Sequence, residues 1–278
     1  MGILDKLLGR KTVKVEIATN RDKGHLNEGF YVIEQAYGAS QAQNLFRQAE
    51  AGDVKATAEI ARCFYGSIEN ELAFEWLKKA ADLGDADSMV MLVDYYQGHF
   101  EGFEADQVMA DRYMQKAIEL GSPRAYMKLA DEHYSEDDPQ ENAIAFGYYL
   151  QAAELGDPEG QAEVGLAYLD GIGVGQDAAE AFRWLSMSKD DKHAAYPLAK
   201  CYLEGIGTPV DYDKATAALE RAVEAKCLEK NAARHKLIGL YAQGFGGANR
   251  ASKMAKMRAE LEASSKLLDD LASSLLSS

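Results

Sequence analysis

Apolar and small residues recur along this chain at two spacings at once. Within short stretches they return every three or four positions, and the stretches themselves return after one pair of helices' worth of chain. The segments FEWLKKAADLGDADSMVML (74–92), RYMQKAIELGSPRAYMKLA (112–130) and YYLQAAELGDPEGQAEVGLAYLDGIG (148–173) share one plan. Each leads from an aromatic-led helix, through a glycine, into a second helix-periodic stretch. With that glycine as origin, Gly52, Gly84, Gly121 and Gly156 are anchors, and Lys192 and Lys226 occupy the same place in two later copies. The intervals are 32, 37, 35, 36 and 34 residues, which is the signature of a repeat protein.

The columns of the repeat are regular. Eleven residues before the anchor stand Ala73, Ala110, Ala145, Ala181 and Ala215; four before it stand Ala80, Ala117, Ala152, Ser188 and Ala222. Eight before it stand Trp76, Tyr113, Tyr148 and Trp184. These offsets share one helix face, with small residues where a neighbouring backbone must come close. After the anchor, Ala56, Ser88, Ala125 and Gly160 fill the plus-four column, Ile60, Leu92, Leu129 and Val164 the plus-eight column, and Phe64, Tyr96, His133 and Tyr168 the plus-twelve column. Such a stripe is buried only against adjacent repeats. The glycines suit a left-handed helix end, and Asp53, Asp85, Ser122 and Asp157 suit the following N-cap.

The segments EVGLAYLDGIGVGQDAAEAFRWL (163–185), LAKCYLEGIGTPVDYDKATAALERA (198–222) and LIGLYAQGFGG (237–247) resemble Sel1-like repeats, relatives of the tetratricopeptide repeat. The resemblance implies an all-α, right-handed α-α superhelix (a solenoid) of antiparallel helix pairs. It predicts an N-terminal arm over 1–26, a solenoid of about six pairs over 27–247, and C-terminal capping helices over 248–278. Within the arm, Thr12 to Ala18 alternates as a weak strand would, and residues 27–51 form a degenerate first pair with Phe30, Ile33 and Tyr37 on one face.

Charge narrows the function. The net charge is −15 from 45 acidic and 30 basic residues, and no Lys/Arg stripe with interleaved aromatics offsets it. Nucleic acid is therefore disfavoured, since its binding rests on cations that neutralise phosphates; a basic protein partner is not. No apolar run reaches the length of a membrane span. Met1 to Lys11 lacks the form of a secretory signal, so a cytoplasmic location is expected. Ile3, Leu4, Leu7 and Leu8 with Lys6, Arg10 and Lys11 offer at most weak contact with a membrane surface.

Candidate chemistry is sparse. Cys63, Cys201 and Cys227 are widely spaced and read as small buried apolar residues. His25, His99, His133, His193 and His235 show no metal-ligand spacing. Gly171, Gly173 and Gly175 superficially resemble a phosphate loop, yet they follow a helix, and Gly205 and Gly207 repeat them one unit later; they are an inter-helix turn. Glu136, Asp137, Asp138, Asp190 and Asp191 fall in turns. Neither a catalytic group, a cofactor site nor a metal site is expected.

Positions off the apolar stripe carry the binding expectation. The resemblance implies that the helix after each anchor lines the concave side. Its plus-seven column reads Glu59, Met91, Lys128, Glu163 and Pro197, and its plus-ten column Arg62, Asp94, Asp131, Leu166 and Lys200, the fifth copy lacking two residues after Lys192. The candidate partner-binding set is Glu59, Arg62, Met91, Asp94, Tyr95, Lys128, Asp131, Glu163, Leu166 and Lys200. Tyr95 enters because its doublet partner Tyr96 fills a core column, leaving a ring to point elsewhere; Tyr149 stands to Tyr148 in the same way, and for both rings packing against the adjacent repeat is the alternative to a partner contact. The resemblance implies a non-catalytic scaffold or adaptor; its alternative is a bacterial immunity protein that neutralises a secreted toxin or effector.

Overall fold

The computed structural model describes residues 28–65, 70–135, 137–188, 191–224 and 230–276. The expected arm and strand, the apolar turn of residues 1–11, the Phe30 side chain, His25, Glu136, Asp190, Lys226 and Cys227 lie outside what is described. The described residues form 14 helices and no strand. They fall into two compact units, Met1–Ala125 and Tyr126–Ser278.

The first unit holds α1 (Glu28–Tyr37), α2 (Ala39–Glu50), α3 (Val54–Phe64), α4 (Asn70–Asp82), α5 (Ala86–Tyr96) and α6 (Gln107–Glu119). The division between units falls inside α7 (Pro123–His133). The second unit continues with α8 (Pro139–Glu154), α9 (Pro158–Asp170), α10 (Ala178–Met187), α11 (Ala195–Glu204), α12 (Tyr212–Glu224), α13 (Lys230–Ala242) and the long single helix α14 (Arg250–Leu276). From α1 to α6, and again from α8 to α14, each helix packs on the next.

The anchors behave as their chemistry requires. Each is the middle of a three-residue corner, at φ 86° for Gly52, 94° for Gly84, 71° for Gly121 and 90° for Gly156. Past each one, the next amide donates back to the carbonyl five residues earlier: Asp53 to Gln48, Asp85 to Ala80, Ser122 to Ala117 and Asp157 to Ala152, at 3.0–3.1 Å. That 6→1 bond is the Schellman closure, and it needs a left-handed residue. The side chain that follows then caps the next helix. Asp53 accepts from the Ala56 amide, Asp85 from Ser88 and Asp157 from Gly160, each at 2.8 Å. Ser122 does the same for Ala125 at 3.3 Å.

The small columns are buried throughout, from Ala73 and Ala80 to Ala215 and Ala222. Two other joints are seven-residue loops. Gly171–Asp177 and Gly205–Asp211 fold alike, and Asp177 and Asp211 donate their amides to Tyr168 and Tyr202 carbonyls. The third residue of each loop runs against the start of the helix before the preceding one: a Cβ on Gly207 would stand 1.9 Å from the carbonyl oxygen of Ala178 on α10, and one on Gly173 2.2 Å from that of Asn142 on α8. Glycine is required there by contact as well as by its positive φ.

Candidate functional site

In the first unit, the expected binding residues are largely engaged within the protein. Arg62 Nη2 pairs with Glu59 at 2.7 Å, and Glu59 also accepts a hydrogen bond from the Tyr37 hydroxyl. These two donors hold the Glu59 carboxyl below its usual range, Tyr37 foremost. Asp94 accepts from the Tyr65 hydroxyl, and its other oxygen lies 3.8 Å from His99 Nδ1.

Two expectations are corrected here. Met91 is 3% exposed and Tyr95 1% exposed, so neither offers a side chain to a partner. α5 is enclosed on more than the face that its stripe marks, because the loop after it folds back over Tyr95. Phe100 stacks on the Tyr95 ring at 4.2 Å, Phe103 meets it edge-on at 4.9 Å, and Phe74 and Tyr65 close the sides. This enclosure pushes the Tyr95 hydroxyl up to about 12, by burial first and the charge of Asp94 second. The doublets are also reversed. Tyr95 and Tyr149 are the buried rings, whereas Tyr96 and Tyr148 are half-buried, stacked on Tyr113 and His133.

The second unit differs. Between α7, α8 and α9 lies a cavity of about 260 Å³. Its apolar wall is Met127, Ala145, Phe146, Leu166, Ala167 and Ile172; its polar groups are Asp131, Tyr134, Asn142, Tyr149, Glu159, Glu163 and Asp170. It thus brings together Asp131, Glu163 and Leu166 from the expected set. Lys128 stands apart, 3.9 Å from Glu132, and Lys200 is half-buried outside the cavity lining. Tyr134, Asn142, Glu159 and Asp170 were not singled out from sequence. All four sit at helix ends or in the α7–α8 connection, where periodicity gives no face.

The electrostatics of this cavity are one-sided. Among the described residues four carboxylates line it, with no lysine or arginine. Burial pushes the Glu163 carboxyl up, and Glu159, Asp131 and Asp191 add to the shift while His193 opposes it. Tyr149 donates to Asp131 at 2.8 Å, and burial with that bond raises its hydroxyl well above the ordinary value. A buried carboxylate beside others of like charge is costly, and a cation is the group that relieves it. Among the described residues no group of three or more His, Cys, Asp or Glu is placed to hold a metal ion, and no helix is long and apolar enough to cross a membrane.

Comparisons with known proteins agree with the fold. The Sel1 repeat family model matches five times, over residues 56–85, 94–122, 123–157, 158–193 and 192–226. The chain is 25% identical over 177 residues to the Sel1-repeat-containing protein YjcO of Escherichia coli, covering 63% of each. It therefore spans under two thirds of the length of that relative. The crystal structure of a Sel1 repeat protein from Oxalobacter formigenes aligns with a TM-score of 0.55 at 27% identity, covering 84% of this chain and 95% of that one. A protective antigen present in uropathogenic Escherichia coli strains, displaying an SLR fold, aligns at 0.53 and 24% identity, covering 84% of this chain and 51% of the other.

Proposed function

Since the chain belongs to the Sel1 repeat family, whose members generally mediate protein–protein interaction, we propose that it is a non-catalytic scaffold whose docking site for a basic partner protein is the cavity between α7, α8 and α9. The observation that carries this reading is the cavity itself: an apolar wall rimmed by Asp131, Glu159, Glu163 and Asp170, with no lysine or arginine among the described lining residues and His193 3.8 Å from Glu159. An apolar floor supplies the contact area, and a single-signed rim steers and orients a partner of opposite charge. The net charge of −15 adds long-range attraction in the same sense.

Photo-crosslinking tests this. A benzophenone amino acid placed at Tyr134, on the cavity rim, is compared with one at Val210, which is 51% exposed and outside it. One basic protein should be captured in native cells from Tyr134 and not from Val210. Capture of the same proteins from both positions, or of none, overturns the reading. The identity of that protein also bears on the immunity alternative: a secreted toxin would select it.

A further inference from the structure

The repeat supplies its own comparison for this cavity. Counted from the anchor glycines, Tyr134, Phe146, Ala167 and Ile172 stand in the columns of Tyr65, Phe74, Tyr95 and Phe100. In the first unit, Tyr65 and Phe74 are walls and Tyr95 and Phe100 are contents: two stacked rings, with Phe100 5.8 Å from Tyr65 and Tyr95 5.4 Å from Phe74. In the second unit the walls remain as Tyr134 and Phe146, but the contents shrink to alanine and isoleucine, and 260 Å³ stands open. The same columns therefore show what shape fits: a flat side chain against a tyrosine wall.

Charge changes in the same comparison. Asp131, Glu159, Glu163 and Asp170 replace Arg62, Asp87, Met91 and Gly98. One cation and one anion become four carboxylates, so the ring-shaped vacancy has acquired a demand for positive charge. The side chain that is both flat and cationic is arginine. Its guanidinium stacks on aromatic faces, and its several donors reach more than one carboxylate at once.

We infer that the cavity between α7, α8 and α9 receives an arginine side chain of the partner protein, its guanidinium among Asp131, Glu159 and Glu163 and its flat face against Tyr134. The inference rests on the scaffold reading above and names the residue that this scaffold reads. Lysine, a strongly hydrated point charge, fills neither the width nor the stacking face.

The test is a methyl-NMR titration of the full chain with acetyl-arginine methylamide, acetyl-lysine methylamide and neutral acetyl-citrulline methylamide. Saturable shifts are expected at the Leu166 and Ile172 methyls with the arginine probe, with the citrulline probe weaker by roughly tenfold or more, since a charge-assisted hydrogen bond is worth at least that ratio. The lysine probe should fall between them. Glu163→Gln should weaken the arginine probe by roughly tenfold. Ala167→Tyr with Ile172→Phe, which installs the rings of the first unit, should abolish the shifts; an unchanged melting profile certifies its fold, and Glu163→Gln carries the test if it does not fold. Equal affinity for arginine and citrulline, or no saturable shift at those methyls, overturns the inference. Partner capture from Tyr134 alongside a failed arginine titration would leave the scaffold standing and remove only the arginine.

Discussion

Tyr149 on α8 donates its hydroxyl hydrogen to Asp131 on α7 across 2.8 Å, tying two consecutive helices at the mouth of the acidic cavity. The ring is buried while the carboxylate is exposed. Tyr149→Phe keeps the ring and removes the bond, and a hydrogen bond to a charged group contributes about 1–2 kcal/mol once solvent exposure is allowed for. The urea midpoint should fall accordingly. Adding Asp131→Ala to Tyr149→Phe should cost less than the two separate losses together, as partners in one bond are not additive.

Alkaline stability should be limited by the tyrosines. Burial is the first cause that raises Tyr65, Tyr95, Tyr149 and Tyr241 above 10.0, and for Tyr65, Tyr149 and Tyr241 a hydrogen bond to a carboxylate follows. A group whose folded pKa is raised binds its proton more tightly when folded. Its stabilisation is complete below the ordinary value of 10.0 and is lost as pH rises above it. Unfolding free energy should be flat from pH 8 to 9 and fall steeply beyond about 10, with part of the tyrosinate absorbance appearing only on unfolding.

Glu163 acts in the same sense at lower pH. Its carboxyl is raised by burial first and then by Glu159, Asp131 and Asp191, with His193 opposing. Folded protein therefore holds that proton to higher pH than unfolded chain does. The native state is penalised as pH climbs past 4.5 and the group ionises. Glu163→Gln should raise the melting temperature at pH 7 and change it less at pH 4. A site that binds at some cost to stability behaves in this way.

Gly207 and Gly175 give a paired test of the loops. Gly207 has φ 65° and a carbonyl oxygen where its Cβ would stand; Gly175 has no heavy atom within 4 Å of that place and is not in the left-handed region. Gly207→Ala should destabilise by about 1–3 kcal/mol or more through strain and clash. Gly175→Ala should be within about 0.5 kcal/mol of neutral in chemical denaturation, as unstrained surface changes are.

The helix pairs, their corners and the small buried columns were legible in the sequence because each depends on residues near one another in the chain. A left-handed corner asks for Gly84, a cap for Asp85, and an alanine column for a close neighbour. Met91 and Tyr95 were misread for a physical reason. Periodicity marks the face that α5 turns to its stripe, whereas the far side is covered by Phe100 and Phe103 from a ten-residue loop with no period of its own. The cavity was half legible. Asp131, Glu163 and Leu166 stood out as variable columns, yet its emptiness depends on Ala167 and Ile172 being small where Tyr95 and Phe100 are large. That is a difference between copies, and it acquires meaning only once the rings of the first unit are seen packed.

The Gly-Asp corner is closed entirely by atoms within a few residues of itself: one left-handed turn, one back-bond and one cap. A duplicated stretch of gene that starts in any column and stops at the same column one repeat later therefore arrives with its own joint intact. Such a chain is able to grow or shrink in whole cassettes during evolution without inventing a connection.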